Sequence, residues 1–268
     1  MNISGRTKPI AILGNPIAHT LSPLMHNYFF QTLGLDYIYI PLKVEEKELG
    51  SAVQGLWSLG FLGANITIPF KERIMDFLVE ISEEARLIGA VNTIARNSHG
   101  FRGENTDGRG FLRFLQAEQD WHPLGKQALI LGAGGSARAL GTVLALEGIT
   151  KITIVNRTIS KARIIAENIV SQIGTPVEVV SWEDKELKKA VYHADIIINT
   201  TPLGMNPNRE EKPPLNTQWL EGGQLVVDLI YNPLTTLFLS QAKSRGCETL
   251  NGLGMLIHQG ALSFEYWT

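Results

Sequence analysis

The residues with the clearest chemical potential lie in a glycine-rich turn that follows the apolar run Leu129–Leu131. The spacing Gly132-x-Gly134-x-x-Ala137 is typical of a strand–turn–helix that binds a dinucleotide. Gly132 permits a tight turn, Gly134 lets a pyrophosphate approach the backbone, and the small Ala137 lets the helix pack closely on the strand. Helix-start amides then face the phosphates. The predicted contacts are Gly132, Ala133, Gly134, Gly135, Ser136 and Ala137. A glycine-rich turn without a ligand is the alternative.

The residues after the next predicted strand indicate which dinucleotide is bound. An NAD site usually has an acidic residue there, whereas this chain has Asn156-Arg157-Thr158, with Lys161 in the next helical turn. A guanidinium can pair with a 2′-phosphate, and Thr158 can donate to it. This pattern predicts NADP. The alternatives are a surface arginine and a threonine that only caps a helix.

Lys71 and Asp107 are candidates for acid–base chemistry. Lys71 begins the predicted helix Lys71–Val79, where the positive end of the helix dipole disfavours a cation, which weakly favours a functional role. Asp107 precedes another predicted helix, so an ordinary N-cap is the competing explanation.

Polar residues near predicted strands could bind a substrate. Thr20 and Ser22 precede a helix N-terminus, which suits an anion, although Ser22 also fits a plain N-cap. Asn65, Thr67 and Asn92 interrupt otherwise apolar strands. Buried amides and hydroxyls need partners, which are either backbone groups or substrate hydroxyls.

The pattern of predicted strands and helices that position these residues changes along the chain. In the first part, a helix from Ser22 is predicted, with an inward apolar face supplied by Leu24, Tyr28, Leu35 and their neighbours. From Gln127, strands alternate with helices, which predicts an α/β fold with a doubly wound parallel sheet. The predicted strands are Ala128–Leu131, Lys151–Val155, Val177–Val180, Asp195–Asn199 and Leu225–Leu229. A final amphipathic helix covers about Gly252–Tyr266.

Composition limits the classes of partner and location. The 268 residues suit two domains, and the net charge of -2 without a basic run argues against nucleic acid as a partner. Cys247 is the single cysteine, and no Cys or His cluster has metal-site spacing, so we expect neither disulfide nor metal. Neither a signal peptide nor a membrane-spanning run is evident, which predicts a cytoplasmic protein.

Eight ordered motifs together resemble the shikimate dehydrogenase family, from about residue 8 to residue 264. They are Gly14–Pro23, Gly63–Lys71, Gly89–Thr93, Asn105–Gly108, Gly132–Ala137, Asn156–Thr158, Asn199–Met205 and Gly254–Gln259. The resemblance implies reversible NADPH-dependent reduction of 3-dehydroshikimate to shikimate, on the pathway to chorismate and aromatic amino acids. It further implies a substrate-binding domain of residues 1–109 completed by 250–268, and a Rossmann-type NADP-binding domain of residues 110–249. A monomer or homodimer is expected.

The resemblance also implies roles for individual residues. Lys71 would be the catalytic lysine and Asp107 its carboxylate partner. The remaining substrate residues would be Thr20, Ser22, Asn65, Thr67, Asn92, Tyr231 and Gln259. Further cofactor contacts would be Thr201, Leu229, Gly252, Met255 and Glu83. Thr20 stands where the family usually has serine, which affects fine substrate preference.

Three alternatives remain open. A quinate/shikimate dehydrogenase that uses NAD is compatible with Thr20 but disfavoured by Arg157. A non-catalytic NADPH-binding regulator would not need both Lys71 and Asp107. A methylene-tetrahydrofolate dehydrogenase would share the two-domain plan, but the hydroxyl-binding residues fit a small polyhydroxy acid better than a pterin.

Overall fold

The computed structural model describes residues 3–183 and 185–268. The chain forms two compact units: the first ends at Gly110 and resumes from Gln259 to Thr268, and the second runs from Phe111 to His258. Each unit contains one six-stranded sheet with helices around it. The predicted α/β class is therefore confirmed.

The first unit is built on a mixed sheet in the order β2-β1-β3-β5-β6-β4. Its strands are β1 (Lys8–Gly14), β2 (Tyr37–Lys43), β3 (Gly63–Ile66), β4 (Glu80–Ile81), β5 (Thr93–Arg96) and β6 (Phe101–Glu104). Strand β1 is parallel to β2 and β3, whereas β5 is antiparallel to β3 and β6. The helices are α1 (Ser22–Thr32), α2 (Leu49–Ser58) and α3 (Glu83–Ile88), with short 3-10 helices at Glu46–Glu48 and Arg73–Phe77.

Strand β1 lies inside this sheet and carries the run Ile10-Ala11-Ile12-Leu13, in which no residue is more than 4% exposed. A continuous apolar run, rather than an alternating one, is what a strand needs when both of its faces are covered. Its carboxyl end at Gly14 lies beside the carboxyl end of β3. The loops that follow these two strands therefore start at the same edge of the sheet.

Helix α1 corrects one prediction. Leu24 and Tyr28 were predicted to face inward, but they are 74% and 64% exposed, and the buried side is formed by Ser22, His26 and Phe30. The prediction was wrong because it followed the most apolar side chains. The aromatic rings of Tyr39 and Trp267 instead pack against His26, whose weakly polar ring they cover.

The second unit is an all-parallel sheet in the order β12-β11-β10-β7-β8-β9. Its strands are β7 (Gln127–Leu131), β8 (Lys151–Val155), β9 (Val177–Val180), β10 (Ile196–Asn199), β11 (Leu225–Asp228) and β12 (Glu248–Asn251). The remaining helices are α4 (Asp107–Gln119), α5 (Gly135–Leu146), α6 (Ile159–Ile173), α7 (Glu186–His193), α8 (Leu237–Ser244) and α9 (Leu253–Trp267). The first residues of α4 and the last part of α9 belong to the first unit. This strand order is that of the Rossmann fold, with its reversal between β7 and β10.

The predicted doubly wound sheet is thus confirmed, and only its last strand, β12, was missed. None of the helices within residues 3–183 and 185–268 is both long and apolar enough to cross a membrane.

Candidate active site

Lys71 and Asp107 form an ion pair in the first unit, with Nζ donating to Oδ2 at 2.6 Å. Lys71 lies in the turn after β3, and the predicted helix Lys71–Val79 is only the 3-10 helix Arg73–Phe77. Asp107 is the first residue of α4. The two side chains are 25% and 10% exposed, so water screens the pair less than it screens a surface pair.

The orientation of Asp107 is fixed from two further directions. Asn92 Nδ2 donates to its second carboxylate oxygen, Oδ1, at 2.8 Å. Its backbone amide donates to Asn105 Oδ1 at 3.1 Å, and Asn105 Nδ2 in turn donates to the carbonyl of Ala90 at 2.9 Å. Sequence reasoning assigned no role to Asn105, although its place two residues before Asp107 suits this kind of local side-chain-to-backbone bond.

The two predicted substrate amides, Asn65 and Asn92, are 6% and 3% exposed and bond within the first unit. Asn92 Nδ2 donates to Thr106 Oγ1 at 2.9 Å as well as to Asp107. Asn65 accepts from Tyr39 Oη at 2.7 Å, and its Nδ2 lies within hydrogen-bonding distance of several oxygens. A bond from either amide to a substrate hydroxyl must therefore share or replace one of these.

The structure places Thr20 and Ser22 at the start of α1, but not in the arrangement predicted. The N-cap position belongs to Leu21, and Ser22 is the first helical residue. Ser22 N donates to Thr20 Oγ1 at 3.3 Å, and the Ser22 hydroxyl is bonded to Tyr39. The prediction of Ser22 as N-cap was wrong because the Thr20 hydroxyl accepts the first helical amide instead.

Thr67 lies at the same sheet edge, in the loop after β3. Thr67 Cγ2 would be 2.4 Å from a Cβ atom at Gly14, which is why this position must lack a side chain. Asn15 N donates to the Ile68 carbonyl at 3.0 Å. The loops after β1 and β3 are consequently held against each other, with Lys71 four residues beyond Thr67.

Gln259 is brought close to the helix that begins at Asp107. A Cβ atom at Gly110 would lie 2.6 Å from the backbone of Gln259, so α4 and α9 touch at this point. Gln259 is half-buried. In the second unit, Met255 is 8% exposed one turn earlier on α9, and Tyr231 is half-buried in the loop after β11. Glu83 is exposed in the first turn of α3, within the first unit.

The glycine-rich turn has two kinds of glycine. Gly132 has a φ of 112°, and a Cβ atom there would lie 2.5 Å from Thr200 Oγ1, so no other residue fits. Gly134 and Gly135 are exposed, and a Cβ atom on either would meet nothing within 4 Å. Ala137 is fully buried one turn into α5. The helix start is therefore open to a pyrophosphate, while its far side is packed.

The register of the sheet brings the other predicted cofactor residues to the same edge. Leu131 pairs with Val155 and with Asn199, Asn199 pairs with Asp228, and Asp228 pairs with Asn251. Thr201, Leu229 and Gly252 thus each follow the carboxyl end of a neighbouring strand, where ligands bind in open α/β sheets. A Cβ atom at Gly252 would overlap the Leu229 carbonyl at 1.9 Å, so these two loops are in direct contact.

Arg157, Thr158 and Lys161 are exposed after the second strand of this sheet. Thr158 is the N-cap residue of α6, but its hydroxyl makes no capping bond, and Asn156 Nδ2 donates to the Thr158 carbonyl at 2.8 Å. Within the described part of the chain, neither Arg157 nor Lys161 forms an ion pair. These exposed donors suit the 2′-phosphate of NADP, and the open helix start suits its pyrophosphate.

Sequence reasoning missed Asp228, which organises the loops at this edge. Its Oδ1 accepts from Asn199 Nδ2 at 2.9 Å and from Ile230 N at 3.2 Å, and its Oδ2 accepts from Thr236 Oγ1 at 2.7 Å. Asn199 Oδ1 in turn accepts from Thr201 Oγ1 at 2.7 Å. Burial raises the pKa of the Asp228 carboxyl, and these donors oppose that shift. A charged residue directly after three apolar ones was the available clue.

No group of three or more His, Cys, Asp or Glu side chains in the described ranges could hold a metal ion. Cys247 is buried and unpaired, and burial raises the pKa of its thiol.

A Rossmann sheet with an open glycine turn, in a chain whose other unit holds a shielded lysine–aspartate pair, defines an NADP-binding dehydrogenase of two domains. Family models support a narrower assignment. "Shikimate dehydrogenase substrate binding domain" matches residues 12–94, "Shikimate / quinate 5-dehydrogenase" residues 116–208, and "Shikimate 5'-dehydrogenase C-terminal domain" residues 252–268.

Individual relatives agree over nearly the whole chain. Shikimate dehydrogenase (NADP(+)) of Desulforamulus reducens is 46% identical over 99% of this chain and 91% of its own. The shikimate 5-dehydrogenase of Listeria monocytogenes, solved with shikimate and NAD, is 38% identical, with a TM-score of 0.95 over 100% of this chain and 93% of that one. A 5-ketofructose reductase of a Gluconobacter species is 39% identical, with a TM-score of 0.90 over 98% and 94%. The chain belongs to the shikimate dehydrogenase family.

Proposed function

We infer that the protein catalyses the reversible NADPH-dependent reduction of 3-dehydroshikimate to shikimate, on the route to chorismate and the aromatic amino acids. The observation that carries this is the Lys71–Asp107 pair, 2.6 Å apart, in a chain 46% identical to an NADP-dependent shikimate dehydrogenase over 99% of its length. The regulator alternative lacks support, because such a protein has no use for a shielded acid–base pair.

The chemistry adds a hydride to the keto carbon and a proton to its oxygen. NADPH, when bound, supplies the hydride. Lys71 would lie at this oxygen, where its ammonium stabilises the growing negative charge and donates the proton. Asp107 accepts a hydrogen bond from that ammonium and holds it in place, and it can accept another from the neighbouring substrate hydroxyl. In the oxidation direction the amine of Lys71 takes the hydroxyl proton back.

The remaining polar residues of the first unit would hold the substrate. Thr20 and Ser22 would bind its carboxylate at the start of α1, and Thr67 and Gln259 would bind hydroxyls. Asn65 and Asn92 would frame the pocket, and Tyr231 would close over the substrate. The shared sheet edge of β1 and β3 supports this grouping for Thr67.

The cofactor would be NADP rather than NAD, held by the glycine turn Gly132–Ala137 and by residues at the same edge of the sheet. Arg157, Thr158 and Lys161 would bind the 2′-phosphate, with Asn156 beside them. The nicotinamide half would contact Thr201, Leu229, Gly252 and Met255, with Glu83 as a further contact from the first unit.

The domain roles follow from these sites. Residues 1–109 with 250–268 would bind the substrate, and residues 110–249 would bind NADP. The compact units support this division except for residues 250–258, which pack with the second unit. We also propose that the protein works as a monomer or homodimer in the cytoplasm, without nucleic acid, where its free Cys247 stays reduced.

The test is NADPH formation from NADP⁺ on addition of shikimate, with quinate as the control and NAD⁺ as the second cofactor. In the reduction direction, 5-ketofructose is offered as an alternative substrate to 3-dehydroshikimate. This tests for the activity in the name of the Gluconobacter relative. We expect kcat/KM for shikimate to exceed that for quinate by about 100-fold or more, because unmatched polar groups in a site are costly. No turnover of shikimate would refute the proposal.

A further inference from the structure

A buried serine on the last helix, Ser263, contacts hydroxyls that belong to the hydrogen-bond network around Lys71 and Asp107. Ser263 is fully buried, although it is a small polar residue in the middle of α9. This part of α9 is fixed in the first unit, because Trp267 Nε1 donates to the Ile94 carbonyl at 3.0 Å and Gly260 packs against Met25. Ser263 is therefore held in one place.

Ser263 Oγ has four oxygen or nitrogen neighbours. It donates to the Gln259 carbonyl at 3.1 Å, the bond that any helical serine can make. It is also 2.8 Å from Thr93 Oγ1 and 3.2 Å from Thr106 Oγ1, and it accepts from Asn65 Nδ2 at 3.0 Å. The last three residues lie more than 150 positions earlier in the chain. A serine that only satisfied its own helix would need none of these contacts.

Two of these hydroxyls set the orientation of Asn92. Its Oδ1 accepts from the backbone amide of Thr106 at 2.8 Å and from Thr93 Oγ1 at 3.0 Å. A backbone amide can only donate, so this bond identifies the oxygen of the Asn92 amide, and Nδ2 must point the other way. Nδ2 then donates to Thr106 Oγ1 and to Asp107 Oδ1. The rotation of one amide thus depends on hydroxyls that Ser263 contacts.

We propose that Ser263 is a positioning residue: through Thr93 and Thr106 it holds the Asn92 amide, and through it Asp107, in the orientation that aims the Lys71 ammonium. The single hydroxyl hydrogen of Thr93 goes to Asn92, so Thr93 Oγ1 accepts from Asn65 Nδ2 at 3.1 Å, or from Ser263 when the Ser263 hydroxyl turns away from the Gln259 carbonyl. This inference rests on the proposed function only in taking Lys71 and Asp107 as the reacting pair. The geometry of Asn92 itself does not depend on that assignment.

The test uses the full-length protein with Ser263→Ala, and with Ser263→Thr, which keeps the hydroxyl. Thr268→Ala is the matched control, because Thr268 makes the same bond to the carbonyl four residues earlier but is exposed. We expect Ser263→Ala to lower kcat by about 10- to 100-fold with little change in the KM for NADP⁺, since small misplacement of reacting groups is costly. The pH dependence of kcat should also change, because the proton-transferring group has lost its fixed partner. Ser263→Thr should restore most of both.

A second readout does not require turnover. The side-chain amide resonances of Asn92, assigned by their loss in Asn92→Asp, should be protected from exchange in the wild type and lose that protection in Ser263→Ala. If the alanine variant does not fold, Ser263→Cys, which keeps the volume but bonds weakly, takes its place. Unchanged kcat, pH profile and Asn92 protection would overturn the inference even if the melting temperature fell. Equal losses in the alanine and threonine variants would also overturn it, because they would indicate packing. An inactive wild type with a mobile Asn92 amide in Ser263→Ala would instead refute the proposed function alone.

Discussion

Asn92 and Lys71 bind opposite oxygens of the same carboxylate: Asn92 Nδ2 donates to Asp107 Oδ1 at 2.8 Å, and Lys71 Nζ donates to Asp107 Oδ2 at 2.6 Å. One carboxylate oxygen of Asp107 therefore accepts from a neutral amide, and the other accepts from the ammonium of Lys71. Neither oxygen is free to rotate away. A change at Asn92 therefore reaches the Lys71–Asp107 pair through this bond.

Replacing Asn92 by alanine should reduce kcat by about 100-fold, because Asp107 loses the donor that fixes its orientation and the buried Thr106 amide loses its acceptor. Steady-state kinetics in the oxidation of shikimate measure the effect. Asn208→Ala, at an exposed asparagine in a loop, is the control and should be neutral. A kcat within twofold of wild type for Asn92→Ala would show that Asp107 is held without it.

Removing the Arg157 guanidinium should weaken NADP⁺ but not NAD⁺. A charge-assisted bond to a phosphate typically contributes about 2 kcal/mol, so Arg157→Ala should raise the KM for NADP⁺ by about 30-fold and leave the KM for NAD⁺ within about twofold. Arg163→Ala, an exposed arginine on α6, is the matched control. Equal losses with both cofactors would mean that Arg157 does not read the 2′-phosphate.

Substitutions at Gly132 and Gly134 should have different effects: the first on the stability of the fold, the second on the binding of NADP⁺. Gly132→Ala should lower the free energy of unfolding by about 1 to 3 kcal/mol, because the backbone has a φ of 112° and the methyl meets Thr200 Oγ1. Gly134→Ala should leave stability unchanged, since its φ is −98° and the methyl enters open space. It should nevertheless raise the KM for NADP⁺ by about tenfold or more, because that space is where the pyrophosphate approaches. Chemical denaturation measures the stability of both variants, and steady-state kinetics measure their KM for NADP⁺. A Gly134→Ala variant with the stability and the KM of the wild type would argue against pyrophosphate binding at this turn.

His26 should make the protein less stable in mild acid. It is fully buried, stacked on Tyr39 at 4.5 Å between ring centroids, and neither ring nitrogen has a hydrogen-bond partner among the described residues. Burial lowers its pKa from 6.5 to about 4, although nearby Asn65 opposes the shift. Burial also raises the pKa of Tyr39, so the facing phenol stays neutral over this range.

The free energy of unfolding depends on pH because the folded and unfolded chains bind different numbers of protons at His26. Between about pH 6.5 and pH 4 the unfolded chain binds a proton at His26 that the folded chain excludes, so stability falls as the pH falls and the loss stops below about pH 4. The total is about 3 kcal/mol. Urea unfolding of the wild type and of His26→Met, which does not titrate, should give curves that converge in acid. Parallel pH dependences would contradict the role of His26.

The fold of the second unit was largely predictable, and the reason is local. Strands such as Leu129–Leu131 and Ile196–Ile198 are short apolar runs bounded by turn residues, and the glycine turn fixes the first strand–helix junction. Strand β12 was missed because it is a half-buried edge strand, Glu248–Asn251, with no such run. Strand β4, with two residues, carries even less pattern.

The candidate site was predictable only in part. Lys71 and Asp107 could be selected by type and by resemblance, but their 2.6 Å contact joins positions 36 apart in the chain. Ser263 could not be selected, because its partners lie 157 to 198 positions away and a serine in an amphipathic helix has no distinguishing pattern. Helix α1 shows the same limit, since only tertiary packing makes His26 a better core residue than Leu24. Local sequence patterns predict the helices and strands, whereas the site depends on hydrogen bonds between residues that are far apart in the chain.

The claim that Lys71 is the proton donor and acceptor is tested most directly by the kcat for shikimate oxidation in Lys71→Met. Lys243→Met, at an exposed lysine of α8, is the control. The account predicts that Lys71→Met lowers kcat by about 10³-fold while the KM for NADP⁺ stays near that of the wild type and Lys243→Met is unaffected. A Lys71→Met enzyme that turns over shikimate at the wild-type rate would contradict it.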